Sequence, residues 1–204
     1  LFSAISFGCC IMYAVRFYKN LFTDEGYITW TLPASPLTQL WAKILSASIW
    51  YVLDLTICFA AAWFLISGDN IQSALERIKP DFQAALGMSF SSFCGLVVFF
   101  SFVGILSCVL FIYTSIAIGQ LVPAHRIIVS IAVYFILNLI TQIISIGVSI
   151  ITSVFPDYVF SPAQTSFSEY FFQMLLIGTC TTTVLAIAGY FITYRILQRK
   201  VNLI

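Results

Sequence analysis

The chain has 204 residues, of which 61% are hydrophobic and only 8% charged, with a formal net charge of +1. Soluble domains run near ~45–50% apolar and ~25% charged, so a chain of this size has too little polar surface to cover itself and points to lipid as its solvent. The near-zero charge excludes a nucleic-acid binder, because neutralising phosphates needs a basic surface.

Five stretches are long or apolar enough to enter a hydrocarbon core of ~30 Å, which takes ~20 helical residues to cross. They are residues 1–15, 44–66, 90–121, 127–154 and 171–194. The expected fold class is therefore all-α, a polytopic transmembrane helical bundle forming one domain over 1–204. Residues 1–15 are short and begin without a cap or a basic leader. They are expected to be the tail of a longer helix, with at least one further span upstream.

Between the first two spans lies a polar loop, 16–43, unusually dense in special residues: Arg16-Phe17-Tyr18-Lys19-Asn20-Leu21-Phe22-Thr23-Asp24-Glu25-Gly26-Tyr27, then Thr31-Leu32-Pro33. Thr23 followed by two acids has the form of a helix start, with Asp24 and Glu25 complementing the helix dipole. Ile28 and Leu32 make an i, i+4 apolar pair. Pro33 disfavours helix in the residue before it and should stop the element. Ser35-Pro36 then opens a second helix by the cap-plus-proline signal. An aromatic belt of Phe17, Tyr18, Phe22, Tyr27 and Trp30 anchoring helix ends at the headgroups is the plainer alternative. The acids favour a protein surface, since they gain nothing from an anionic leaflet.

The second span carries Asp54 near its middle. A central Asp costs roughly +3 kcal/mol on insertion scales, against about −5 kcal/mol returned by the aliphatic and Phe residues of 44–66. It should face other helices or water, as a pathway residue or a packing hydrogen bond.

The outer loops are 67–89 and 155–170. In the first, Ile71, Leu75 and Ile78 predict a short amphipathic helix ended by Pro80. In the second, Ser161-Pro162 predicts a small helix running to Glu169. The 120–126 connector is tight and makes its flanking spans antiparallel neighbours. On the fourth span Asn138, Gln142, Ser145, Ser149 and Thr152 recur at helical spacing, with Thr141 and Ser153 beside them. Such a stripe looks inward, as helix glue or as part of a translocation path. On the fifth, Gly178, Thr182, Ala186 and Gly189 form a close-packing face.

Orientation follows from the basic residues. With loop 16–43 inside, Arg16, Lys19, Lys43, Arg126, Arg195, Arg199 and Lys200 are all cytoplasmic, and only Arg77 and Lys79 are outside. The C-terminus is then cytoplasmic. The six cysteines lie in apolar runs with no CxxC pair, as small hydrophobes rather than a disulfide or metal framework. No GxxxxGK[ST] loop occurs, and neither HExxH, GxSxG nor paired carboxylates within one span. No catalytic or metal-binding residue is expected.

The run Arg16 to Tyr27, with Thr29, Thr31-Leu32-Pro33, Ser35 and Leu40 through Lys43-Ile44-Leu45, resembles the cytoplasmic loop of exporter-class permeases of bacterial ATP-binding-cassette (ABC) transporters. A second patch, Tyr113 to Gln120 followed by His125-Arg126, is similar to the cytoplasmic end of a later span in that family. The resemblance implies that loop 16–43 is a coupling element docked on a separate cytoplasmic nucleotide-binding ATPase. Asp24, Glu25, Gly26 and Tyr27 would contact it, Thr31-Leu32-Pro33 would fix the loop's exit, and Phe17 and Tyr18 would belong to the same coupling set. It further implies a multi-pass protein of the bacterial cell membrane, not itself an enzyme, paired with a second permease copy or homologue. No cofactor belongs to this chain; ATP and Mg would be held by the partner. A non-transporting membrane scaffold or sensor component that binds a cytosolic partner through the same loop is the alternative.

Overall fold

A computed structural model describes residues 2–23, 26, 31, 33, 35–66, 68–123, 125–154 and 167–199. Among the described residues the structure is helical throughout, with six helices: α1 (Phe2–Phe22), α2 (Pro36–Ile66), α3 (Asp69–Leu86), α4 (Phe90–Gly119), α5 (Arg126–Ile151) and α6 (Phe167–Arg199). Four of them, α2, α4, α5 and α6, are long and apolar enough to cross a membrane.

Local chemistry sets most of the helix ends. The Thr38 N–H donates to Ser35 Oγ (3.2 Å) and the Gln39 N–H to the Ser35 carbonyl (3.1 Å), so Ser35 caps α2 with Pro36 as its first residue. Ser89 does the same for α4, accepting from the Ser92 N–H at 3.3 Å. The α4–α5 turn is closed by the Leu121 and Val122 N–H groups donating to the Ile118 and Gly119 carbonyls (3.0 and 3.3 Å). His125 enters α5 with a left-handed backbone (φ 57°). Gly119 is required there: a Cβ would meet Ser130 Oγ and lie 2.9 Å from the Ser130 nitrogen and 3.0 Å from the Arg126 carbonyl.

Two expectations change. Residues 1–15 do not stop at the first charge; α1 runs on unbroken through Arg16 and Lys19 to Phe22. Thr23 turns its hydroxyl back onto the Lys19 carbonyl (2.6 Å) at the end of α1; the helix expected to open at Thr23 lies largely outside the described residues. Pro80 lies inside α3, which ends instead at Gly87, a left-handed cap (φ 65°) whose N–H donates to the Gln83 carbonyl at 2.9 Å. A proline deprives the carbonyl four residues earlier of its partner. Here that residue is Glu76, which is exposed, and water can replace the missing donor. The expected helix starting at Ser161 lies outside the described residues; α6 is seen from Phe167.

The chain divides into two units: residues 1–54, 105–140 and 184–204 form unit 1, and 55–104 and 141–183 form unit 2. The core of unit 1 joins α1 (Tyr13, Phe17, Leu21, Phe22), α2 (Leu40, Ile44, Ala47, Tyr51), α4 (Val109, Ile112, Tyr113, Ile116) and Leu197 of α6. Close helix approach is visible at Gly189, where an added Cβ would come within 2.6 Å of Thr114 Oγ1. Thr114 donates to the Leu110 carbonyl (2.7 Å) and accepts from the Thr193 hydroxyl (3.2 Å). Of the expected close-packing face, Gly189 and Ala186 are buried in this way. Gly178 has open space where a Cβ would stand, and Thr182 bonds the Gly178 carbonyl of its own helix (2.6 Å). In unit 2, Phe82 of α3 meets Phe90 and Phe93 of α4 edge-on (5.6 and 5.1 Å), and Phe93 lies near Phe171 of α6 (6.3 Å).

Candidate functional site

The last turns of α1 are the most deeply held part of the loop region. Phe17 is 1% exposed and Leu21 wholly buried. Phe17 stacks on Tyr113 of α4 with ring centres 3.8 Å apart and planes nearly parallel (11°). The Tyr113 hydroxyl donates to the Lys43 carbonyl of α2 at 3.1 Å. One residue of the second resembling patch thus binds two of the first, through its ring and its hydroxyl. Nothing in the sequence alone links the patches.

Tyr18 is half-buried beside Phe22, ring centres 6.5 Å apart. Gly26 is buried, and its N–H donates to the Thr23 carbonyl at 2.7 Å. Thr31 and Pro33 are exposed. Asp24, Glu25, Tyr27 and Leu32 lie outside the described residues. In the second patch, Gln120 Oε1 accepts from Arg126 Nη1 at 3.5 Å.

Against the Phe17–Tyr113 stack, α1 and α2 line a half-open cavity of about 320 Å³ whose lining includes Arg16, Lys19, Asn20, Lys43 and Trp50. In the sequence these cations mark the orientation and belong to the resembling run, but nothing there gathers them into one pocket. The available signal was that Arg16 and Lys19 are three apart, and so share a helix face, while Lys43 stands at a similar distance from its own helix end.

The intramembrane polar residues fall out differently from one another. Asp54 is half-buried on α2 and is not an unpartnered acid. On α5, Asn138 Nδ2 donates to the Tyr134 carbonyl, Ser149 to that of Ile146 and Thr152 to that of Val148, each at 2.8 Å. Ser145 is half-buried, Thr141 buried and Gln142 exposed. Asn138, Ser149 and Thr152 therefore find acceptors on their own helix.

A cluster that the sequence concealed lies in unit 1. The Tyr51 hydroxyl contacts Cys10 Sγ and lies 3.9 Å from Cys108 Sγ, while its ring packs against Tyr13 (4.8 Å). These two thiols serve as polar partners of a buried phenol, beyond the small-hydrophobe role expected of them. All six cysteines are free thiols. Among the described residues no three His, Cys, Asp or Glu side chains gather within reach of one metal ion.

No protein-family profile, curated protein or solved structure matches the chain.

Proposed function

We propose that this chain is the membrane permease subunit of an ATP-driven ABC exporter, seated in a bacterial cell membrane with loop 16–43 and the C-terminus on the cytoplasmic side. In this proposal α1 is a fifth span alongside α2, α4, α5 and α6. A second permease copy or homologue completes the path, and a separate cytoplasmic subunit binds and hydrolyses Mg-ATP.

The observation that carries the proposal is that α1 and α2, on either side of residues 24–34, are each finished by a side-chain hydrogen bond. Thr23 closes α1 and Ser35 opens α2. Just inside those ends, Phe17, Leu21, Leu40 and Ile44 enter one core. A lever must be stiff at its roots. Force applied to a loop held this way moves α1 and α2 together, whereas frayed helix ends would absorb it. Asp24 and Glu25 supply a compact negative knob for the ATPase groove, and Thr31-Leu32-Pro33 shapes the return.

The test is co-purification with the ATPase encoded nearest to this chain, followed by ATP hydrolysis of the assembled complex. The double variant Asp24→Lys, Glu25→Lys places like charges across the docking surface, which costs several kcal/mol at such interfaces, so assembly should weaken by about tenfold or more. Membrane insertion stays normal. Unchanged stimulation of hydrolysis in the purified variant complex would refute the docking role.

A further inference from the structure

The cavity between α1 and α2 has a chemical gradient along its length. Tyr13 packs on Tyr51, and Phe17 is joined to Lys43 through Tyr113, so the two helices run antiparallel. Lower numbers on α1 therefore face higher numbers on α2. In that register, of the lining residues, Lys19 and Asn20 stand level with Lys43, and Tyr13 with Trp50. Arg16 lies between, and Phe17 with Tyr113 forms the buried floor. Among the described residues, three cations and no carboxylate line it.

Depth follows from helix rise. Arg16 is six residues before the end of α1 and Lys43 seven after the start of α2, about 9–10 Å in from each end at 1.5 Å per residue. That matches the boundary between headgroups and hydrocarbon, where Tyr and Trp also concentrate. Basic pockets between membrane helices at that level recognise phosphate head groups. A free phosphate needs only the cationic end. The aromatic walls leading toward Trp50 fit a ligand whose anionic head continues into an apolar body.

We infer that the Arg16–Lys19–Lys43 cavity is a binding site for the phosphate head group of an anionic membrane phospholipid, with the start of its apolar portion lying along Phe17 and Trp50. The lipid would occupy the root of the loop, bridging α1 and α2 by charge.

The test uses the chain alone in detergent, so it stands or falls separately from the exporter proposal. Native mass spectrometry with added phosphatidylglycerol or phosphatidylcholine measures retained lipid. The chain should prefer phosphatidylglycerol, and Lys43→Gln and Arg16→Gln should each lower its retention by about fivefold. Lys43→Arg should preserve it. Arg195→Gln, an exposed cation of unit 1 that does not line the cavity, should change it by less than about twofold. Arg16 is exposed, so its variant reports on the site if Lys43→Gln does not fold. Equal retention of the two lipids, or an equal loss in Arg195→Gln, overturns the proposal. If inorganic phosphate displaces phosphatidylglycerol and alone raises the melting temperature as much, the cavity is a free-phosphate site and the lipid assignment falls.

Discussion

Units 1 and 2 draw on successive stretches of the same four long helices, yet they are assembled on different terms. Along α4 the residues are apolar from end to end, but its buried residues lie only between Ser107 and Gly119, in unit 1. Unit 1 buries aromatic rings, uses a phenol as a tether and brings Gly189 against Thr114. Among the residues of unit 2 whose side chains are described, only Thr141, Ser149 and Val154 are buried. Its hydroxyls turn inward on their own helices: Thr179, Thr181 and Thr183 donate to the Leu175, Ile177 and Thr179 carbonyls at 2.7–2.8 Å. Hydropathy tells a helix that it belongs in lipid. Shape and small residues decide where it meets another helix.

Three paired substitutions test that contrast, each read as thermal unfolding of the purified chain in detergent. The largest difference is expected between Phe17→Ala and Phe99→Ala. Phe17 is stacked in the core of unit 1, and its loss should cost about 3–5 kcal/mol. Phe99, 60% exposed in unit 2, should cost no more than about 0.5 kcal/mol. Next comes Gly119→Ala against Gly147→Ala. The first drives a methyl into the α5 backbone and should cost about 1–3 kcal/mol. The second meets nothing within 4 Å and should stabilise slightly, by up to about 1 kcal/mol, through better helix propensity. The smallest is Thr193→Val against Thr183→Val. Removing the bond to Thr114 should cost about 0.6–1 kcal/mol, whereas Thr183 gives up only a bond within its own helix and should change stability by less than about 0.5 kcal/mol. Equal costs within any pair would mean that the two units are packed alike after all.

What was legible in the sequence was what local chemistry decides. Ser35-Pro36 announces the start of α2, because a hydroxyl cap and a proline each act within one turn. The apolar runs announce α2, α4, α5 and α6 for the same reason. Local signals with two possible directions were harder. Thr23 can serve the helix before it or one after it, and its hydroxyl went to Lys19. Pro80 forbids one hydrogen bond but not a helix, provided that the orphaned carbonyl reaches water. Spacing alone does not reveal that Asn138, Ser149 and Thr152 bond to the backbone of their own helix. The cavity was out of reach altogether. It exists only once Tyr13 is set against Tyr51, a pairing of two helices that no single periodicity encodes.

The Tyr113 side chain has a consequence of its own. Its ring grips α1 while its hydroxyl holds the α2 main chain, so three helices are riveted through one residue. A twist imparted to either arm must turn the whole joint or shear it. Phenylalanine in its place would keep the face and drop the rivet, separating grip from torque in a single atom.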